Sequence, residues 1–166
     1  MMNQNKILHI ARHAKSSWDL EDISDIDRPL TDKGIRKSYQ VAEKIRHEYP
    51  APELLVSSHA IRALHTAIIF ASVFGISMDK IKISENIYNR QPEDILDLIK
   101  QTDNSITSLI LFGHNPDFTD IVNTFAQKPV IDLPTSGIVT FEFKTESWKN
   151  IGVNNVISQI NHFSGK

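Results

Sequence analysis

Cysteine is absent from the 166 residues, which excludes disulfide scaffolds, thiolate nucleophiles, zinc–cysteine sites and iron–sulfur clusters. Glycine and proline are sparse, at six and seven residues, so collagen-like and low-complexity architectures are excluded as well. No apolar run approaches the roughly 20 residues of a membrane span, and the apolar run from Ile7 to Ala11 is too short for a signal-peptide core. Neither sign of charge dominates. With 18 basic and 20 acidic residues and a formal net charge of −2, no global field favours nucleic acid or an anionic membrane, and any anion site must be local. What is present is 40% hydrophobic and 23% charged residues, the balance of a globular chain with a real core. The expectation is a cytoplasmic protein, without nucleic-acid or membrane partners, folded as a single domain over residues 1–166.

Short β-branched runs alternate with stretches of helical period, a pattern that predicts parallel strands joined by covering helices. Strands are expected at Ile7–Ala11, Leu54–Val56, Ile81–Ile83 and Leu109–Phe112. The alternating segment Ile138–Phe143 and a further strand within 152–160 would form a sheet flank. Helices are expected from Thr31 or Asp32 to Tyr49, from Ala60 to Phe74 with Gly75 as the stop, from near Pro92, and from Pro116 to Phe125. The polar segment Arg12–Asp27 follows neither period and reads as a loop ending at Arg28–Pro29.

In a parallel sheet ligands bind outside the carboxyl ends of the strands. Arg12-His13 follows the first expected strand, Ser57-Ser58-His59-Ala60-Ile61-Arg62 the second, and Gly113-His114 the fourth. Two arginines and two histidines at one mouth suit a phosphoryl group, since guanidinium forks match its oxygens and an imidazole can attack phosphorus. A lone histidine is more often a surface or satisfied core residue, and it is the joint strand-end placement that singles out His13 and His114. By the same reasoning His9 reads as strand interior, His47 and His65 as helical, and His162 as part of the tail. A metal site built from His13 and His114 with Asp19, Asp25 or Asp27 is the weaker reading, because Arg12 and Arg62 repel a cation. Glycine-rich nucleotide loops do not occur.

The strings His9-Ile10-Ala11-Arg12-His13-Ala14-Lys15-Ser16-Ser17-Trp18, Asp27-Arg28-Pro29-Leu30-Thr31-Asp32-Lys33-Gly34, Ser57-Ser58-His59-Ala60-Ile61-Arg62 through Ala67, and Phe112-Gly113-His114-Asn115-Pro116 together resemble the histidine phosphatase superfamily, and in particular its short SixA-type phosphohistidine phosphatase branch. Leu133-Pro134-Thr135-Ser136-Gly137 resembles a later small-residue loop of the family. The resemblance implies a phosphoglycerate mutase-like α/β fold: a three-layer sandwich with a mostly parallel central sheet covered by helices on both faces. It implies that His13 is the nucleophile, that Arg12, Arg62 and His114 bind the phosphoryl oxygens and stabilise transition-state charge, and that no metal or other cofactor is required. Ser16 matches a position near the phosphate, and Glu85 is the nearest candidate for the general acid of the broader family.

Ala14 stands where many members have glycine, as in the SixA-like branch, and His59 replaces a common proline. His59 would either loosen that turn or add a third imidazole at the mouth. Imidazole leaves a phosphohistidine more readily than an alkoxide leaves an ester, so a site without a strong acid favours P–N bonds. The brief segments between motifs leave little material for a lid, which points to a wide mouth facing a protein. The expected partner is therefore a phosphohistidine-containing protein, with a small phosphorylated substrate as the alternative. A phosphate-recognition module without turnover is the competing class.

Overall fold

The computed structural model describes residues 4–163. Six strands, β1 (Lys6–Arg12), β2 (Leu54–Ser58), β3 (Ile81–Ser84), β4 (Ser108–Gly113), β5 (Ile138–Phe143) and β6 (Val156–Asn161), form one sheet in the order β3-β2-β4-β1-β5-β6. The first four strands pair in parallel, while β5 runs antiparallel to β1 and β6 antiparallel to β5. The sheet is thus mostly parallel with an antiparallel flank. Helices α1 (Asp32–Glu48), α2 (Ile61–Phe74), α3 (Pro92–Lys100) and α4 (Asp117–Phe125) link the strands.

Strand alternation divides the core in two. Leu8, Ile10, Val56, Leu109, Leu111, Val139 and Phe141 face α3 and α4 through Ile95, Ile99, Phe118 and Ile121. Their neighbours Ala11, Leu55, Ile110, Phe112 and Ile138 face α1 and α2 through Val41, Ala42, Ile45, Ala67 and Phe70. Helices therefore cover both faces, as the three-layer reading expects. Among the described residues no helix is long and apolar enough to cross a membrane.

Helix boundaries follow local chemistry. Thr31 caps α1 by accepting a hydrogen bond from the Gly34 amide at 3.0 Å, and α2 ends where Gly75 takes φ +69° and its amide reaches Ser72 O. Pro92 opens α3, with the Asp94 carboxylate accepting from the Gln91 amide at 3.2 Å. The segment after β1 is irregular as expected, apart from a 3-10 turn at Asp25–Asp27 and an isolated bridge pairing Ser16 with Leu30.

His162 follows β6 in the tail, as the sequence reading has it, and is buried there: its Nε2 lies 3.0 Å from Thr140 Oγ1, which also meets His9 Nδ1 at 2.8 Å. Tyr49 stands edge-on to both imidazoles. This network ties β1, β5 and the chain after β6 to the end of α1. Burial, with the nearby His162, pushes the His9 pKa down to about 3, and its Nε2 has no partner among the described residues to receive a second proton's charge.

His9 is neutral in both folded and unfolded chains above pH 6.5. As pH falls from there toward 3, the unfolded chain takes up a proton that the folded one refuses, so stability is lost at about 1.4 kcal/mol per pH unit. Urea denaturation at pH 7 and pH 5 should show a loss that the His9→Gln variant reduces by about 2 kcal/mol. An undiminished loss in that variant would contradict the assignment.

Candidate active site

The β1–β4 register sets Arg12 opposite Gly113, so His13 and His114 leave the sheet side by side. Their ring centroids lie 5.2 Å apart. Gly113 is needed at this corner, because a Cβ there would come within 2.4 Å of Phe118 Cε1 and 2.7 Å of Ile87 Cγ2. Residues 12–14 are fixed on several sides. The Arg12 amide donates to Gly137 O at 3.0 Å, the His13 amide to Gly113 O at 3.0 Å, and the Ser136 amide to His13 O at 3.1 Å. The Ala14 amide donates to Thr66 Oγ1 at 3.0 Å, which fastens the loop to α2 one turn beyond Arg62.

These constraints bring Arg12, His13, Ser16, Arg62 and His114 to the wall of one cavity of about 560 Å³. Glu85 is not brought there. It is exposed in the 3-10 turn after β3 and does not line the cavity. His59 also stands back: its ring packs edge-on against Tyr88, 5.3 Å between centroids, and Tyr88 in turn packs against His114 at 5.4 Å. His59 thus supports a wall of the site from behind. Of the three carboxylates weighed as metal ligands, only Asp25 lines the cavity, and among the described residues no group of three His, Asp or Glu side chains is arranged to hold a metal.

His13 Nδ1–H donates to Ala14 O at 2.7 Å, which fixes the tautomer and puts the lone pair on Nε2, where it accepts from the Arg62 Nε–H at 3.3 Å. Burial, against the opposing pull of the Ala14 hydrogen bond, together with the charges of Arg62, Arg12 and Arg28, pushes the His13 pKa down to about 4. At neutral pH this imidazole is unprotonated. Burial and the neighbouring His13 and Arg62 likewise take His114 down to about 3. Ser58 Oγ accepts from the Ala60 amide and lies 2.8 Å from His114 Nε2. With Ser58 donating its hydroxyl proton there, His114 carries its own proton on Nδ1, which has no partner among the described residues.

Arg12 is steered by the Leu133 carbonyl, which accepts from Nη1 at 2.8 Å, and by Asp132 at 3.9 Å. Arg62 is held by Asp25, whose main-chain carbonyl accepts from Nη1 at 2.6 Å and whose Oδ2 accepts from Nη2 at 3.0 Å. Tyr88 Oη–H donates to the same Oδ2 at 2.7 Å. Burial raises the Asp25 carboxyl pKa, but these hydrogen bonds and the charges of Arg62 and Arg28 outweigh it and hold the group below the usual carboxylate range. Asp25 is therefore ionised.

Sequence reasoning missed three of these residues as parts of the site. Arg28 donates to Ser16 Oγ and stacks on Trp18, its Cζ 3.3 Å from the ring centroid. It lies inside the motif Asp27-Arg28-Pro29-Leu30, which carries part of the resemblance but by itself assigns Arg28 no role. Asp25 was weighed only as a metal ligand, and Tyr88, three residues past Glu85, sits in a segment with no periodic signal.

The sequence profile of the histidine phosphatase superfamily (branch 1) matches residues 8–94. An uncharacterized protein of Mycobacterium leprae, ML1117, is 29% identical over 139 residues, which cover 76% of this chain and 83% of that protein. Among solved structures, a provisional phosphohistidine phosphatase SixA from Agrobacterium tumefaciens superposes with a TM-score of 0.77 at 24% identity, covering 93% of this chain and 97% of that one. The protein histidine phosphatase SixA complexed with tungstate gives 0.76 at 17% identity, with 94% and 97% covered. The phosphoserine phosphatase of Entamoeba histolytica, in complex with 3-phosphoglyceric acid, gives 0.62 at 18% identity, with 93% and 96% covered. Most of β1 with Arg12, the adjoining His13, strands β2 and β3, and α2 with Arg62 fall within the matched segment, which spans more than half of the chain, and the chain belongs to the histidine phosphatase superfamily.

Proposed function

We propose that this protein is a phosphatase that works through a phosphohistidine enzyme intermediate and needs no metal, and that its substrate is phosphohistidine on a protein. The observation that carries the reading is His13: an imidazole with its Nδ1 proton committed to Ala14 O and its Nε2 lone pair held only by a 3.3 Å hydrogen bond from Arg62 Nε–H, in a cavity walled by Arg12, Arg28 and Arg62. In the first step Nε2 attacks phosphorus, the bond to the leaving group breaks, and the phosphoryl passes to His13. In the second, water attacks phosphorus, the P–N bond to His13 breaks, and inorganic phosphate leaves with the free imidazole restored. The guanidiniums of Arg12 and Arg62 and the imidazole of His114 stabilise charge on the equatorial oxygens in both steps. Before that, the phosphoryl group must displace the Asp25 carboxylate from Arg62.

The choice of a P–N bond rests on proton supply. An alkoxide leaving group wants a well-placed neutral acid. Glu85 stands outside the cavity and Asp25 is ionised by its partners, whereas a phosphohistidine substrate can arrive with its imidazole already protonated. A protein substrate is supported by the rim, where the loop after β1 exposes Trp18, Leu20 and Ile23 at 77%, 51% and 40%. Such apolar groups beside a polar site suit a macromolecular contact.

Phosphate release in excess EDTA from a carrier protein phosphorylated on histidine, from a phosphoserine peptide and from p-nitrophenyl phosphate tests the reading. Rapid release from the carrier alone is expected. Faster release from the esters would make the protein a general phosphomonoesterase, and no release from any of them would leave a recognition module. His13→Ala should abolish turnover of the carrier while phosphate binding persists. Arg62→Ala should weaken both, with kcat/KM falling about 100- to 1,000-fold, or about 3–4 kcal/mol in the transition state. Undiminished turnover by His13→Ala would rule the mechanism out.

A further inference from the structure

A second cavity, of about 600 Å³, adjoins the active site and shares Lys15 and Thr135 with it. Its walls carry Lys15, Lys33, Arg36 and Lys37, with Gln40 and Ser136, and no carboxylate. Lys33, Arg36, Lys37 and Gln40 recur at the three-to-four spacing of one helix face, and all are exposed. The opposite face of α1, with Gly34, Ser38, Val41 and Ala42, is buried. None of the four cations forms an ion pair with a described residue. The chain as a whole is slightly acidic, so this gathering of like charge is a local feature of one helix face.

The basic face is also held in register with the catalytic loop. Lys15 O accepts from the Thr31 amide at 2.9 Å, just before α1 begins. Gly34 permits the close approach, since a Cβ there would lie 2.3 Å from Lys15 O. The stretch from Lys33 to Gln40 therefore runs about 10 Å along the helix from a fixed point two residues beyond His13.

We propose that this face docks an acidic surface of the phosphoprotein substrate, placing the carboxylates that flank its phosphohistidine on Lys15, Lys33, Arg36 and Lys37. The proposal rests on the reading of the site as a protein phosphohistidine phosphatase. A second phosphate of a small substrate fits less well. Such a group is held by buried, converging donors, as Arg62 and His114 converge in the active site, whereas these four cations are exposed and spread along a helix. Exposed, complementary charge of this kind acts through encounter and orientation, and salt weakens it.

The test compares the wild type with the triple variants K33Q/R36Q/K37Q and K33E/R36E/K37E, whose helix content is checked by circular dichroism. Substrates are a carrier protein phosphorylated on a histidine flanked by acidic residues, and free phosphohistidine. For the carrier, kcat/KM should fall roughly tenfold or more in the Glu variant and less in the Gln variant, mainly through KM, with added salt removing the difference. For free phosphohistidine all three proteins should agree. Equal kcat/KM on the carrier, or a parallel loss on both substrates, would overturn the docking surface while leaving the phosphatase reading intact. A wild type that hydrolyses neither substrate would overturn that reading and the docking surface with it.

Discussion

An imidazole crowded by guanidinium groups in a buried pocket has to stay neutral, and the rest of the site depends on this constraint. A charged His13 would face Arg12, Arg28 and Arg62 with little water to screen them. Neutral, it keeps a lone pair at Nε2, and the bond from Nδ1–H to Ala14 O determines which nitrogen that is. The charge that cannot reside on the imidazole stays on the arginines, where the proposed phosphoryl transfer would use it. Asp25 engages Arg62 with a carboxylate, the contact that a phosphoryl group would have to replace under the proposed function.

Holding so many like-charged groups together costs free energy, and the fold meets that cost with backbone. The parallel pairing of β1 and β4 places both histidines at one height, and hydrogen bonds from the loops at 113–114 and 134–137 and from Thr66 of α2 fix residues 12–14. No single contact here is strong. Together they hold geometry that the side chains alone would spread apart.

Most of the fold was legible in the sequence because its signals are local. β-branched runs gave the parallel strands, the alternation from Ile138 to Phe143 gave the flank, and Thr31, Gly75 and Pro92 marked helix ends. Strand order was not legible, since it depends on which crossover passes over which neighbour. In the site, Arg12, His13, Arg62 and His114 stood out because each follows a strand or opens a helix beside one. Arg28, Asp25 and Tyr88 did not, because they lie in irregular segments and join the site only through tertiary contacts, Tyr88 by way of Asp25 and His114. Glu85 shows the opposite limit: the right residue type at a plausible distance along the chain, which the turn after β3 leaves outside the cavity. The buried pairing of His9 and His162 through Thr140 spans 153 positions along the chain from His9 to His162, and no spacing rule in the sequence announces it.

Capture of the covalent intermediate tests the central claim most directly. The protein is mixed with a carrier labelled with radioactive phosphate on histidine, quenched within milliseconds in alkaline detergent, and analysed for label on the enzyme. A base-stable, acid-labile phosphoryl group on His13, formed and lost at rates consistent with turnover and absent from the His13→Ala protein, is the predicted result. Phosphate release at full rate with no label passing through the enzyme would contradict the account.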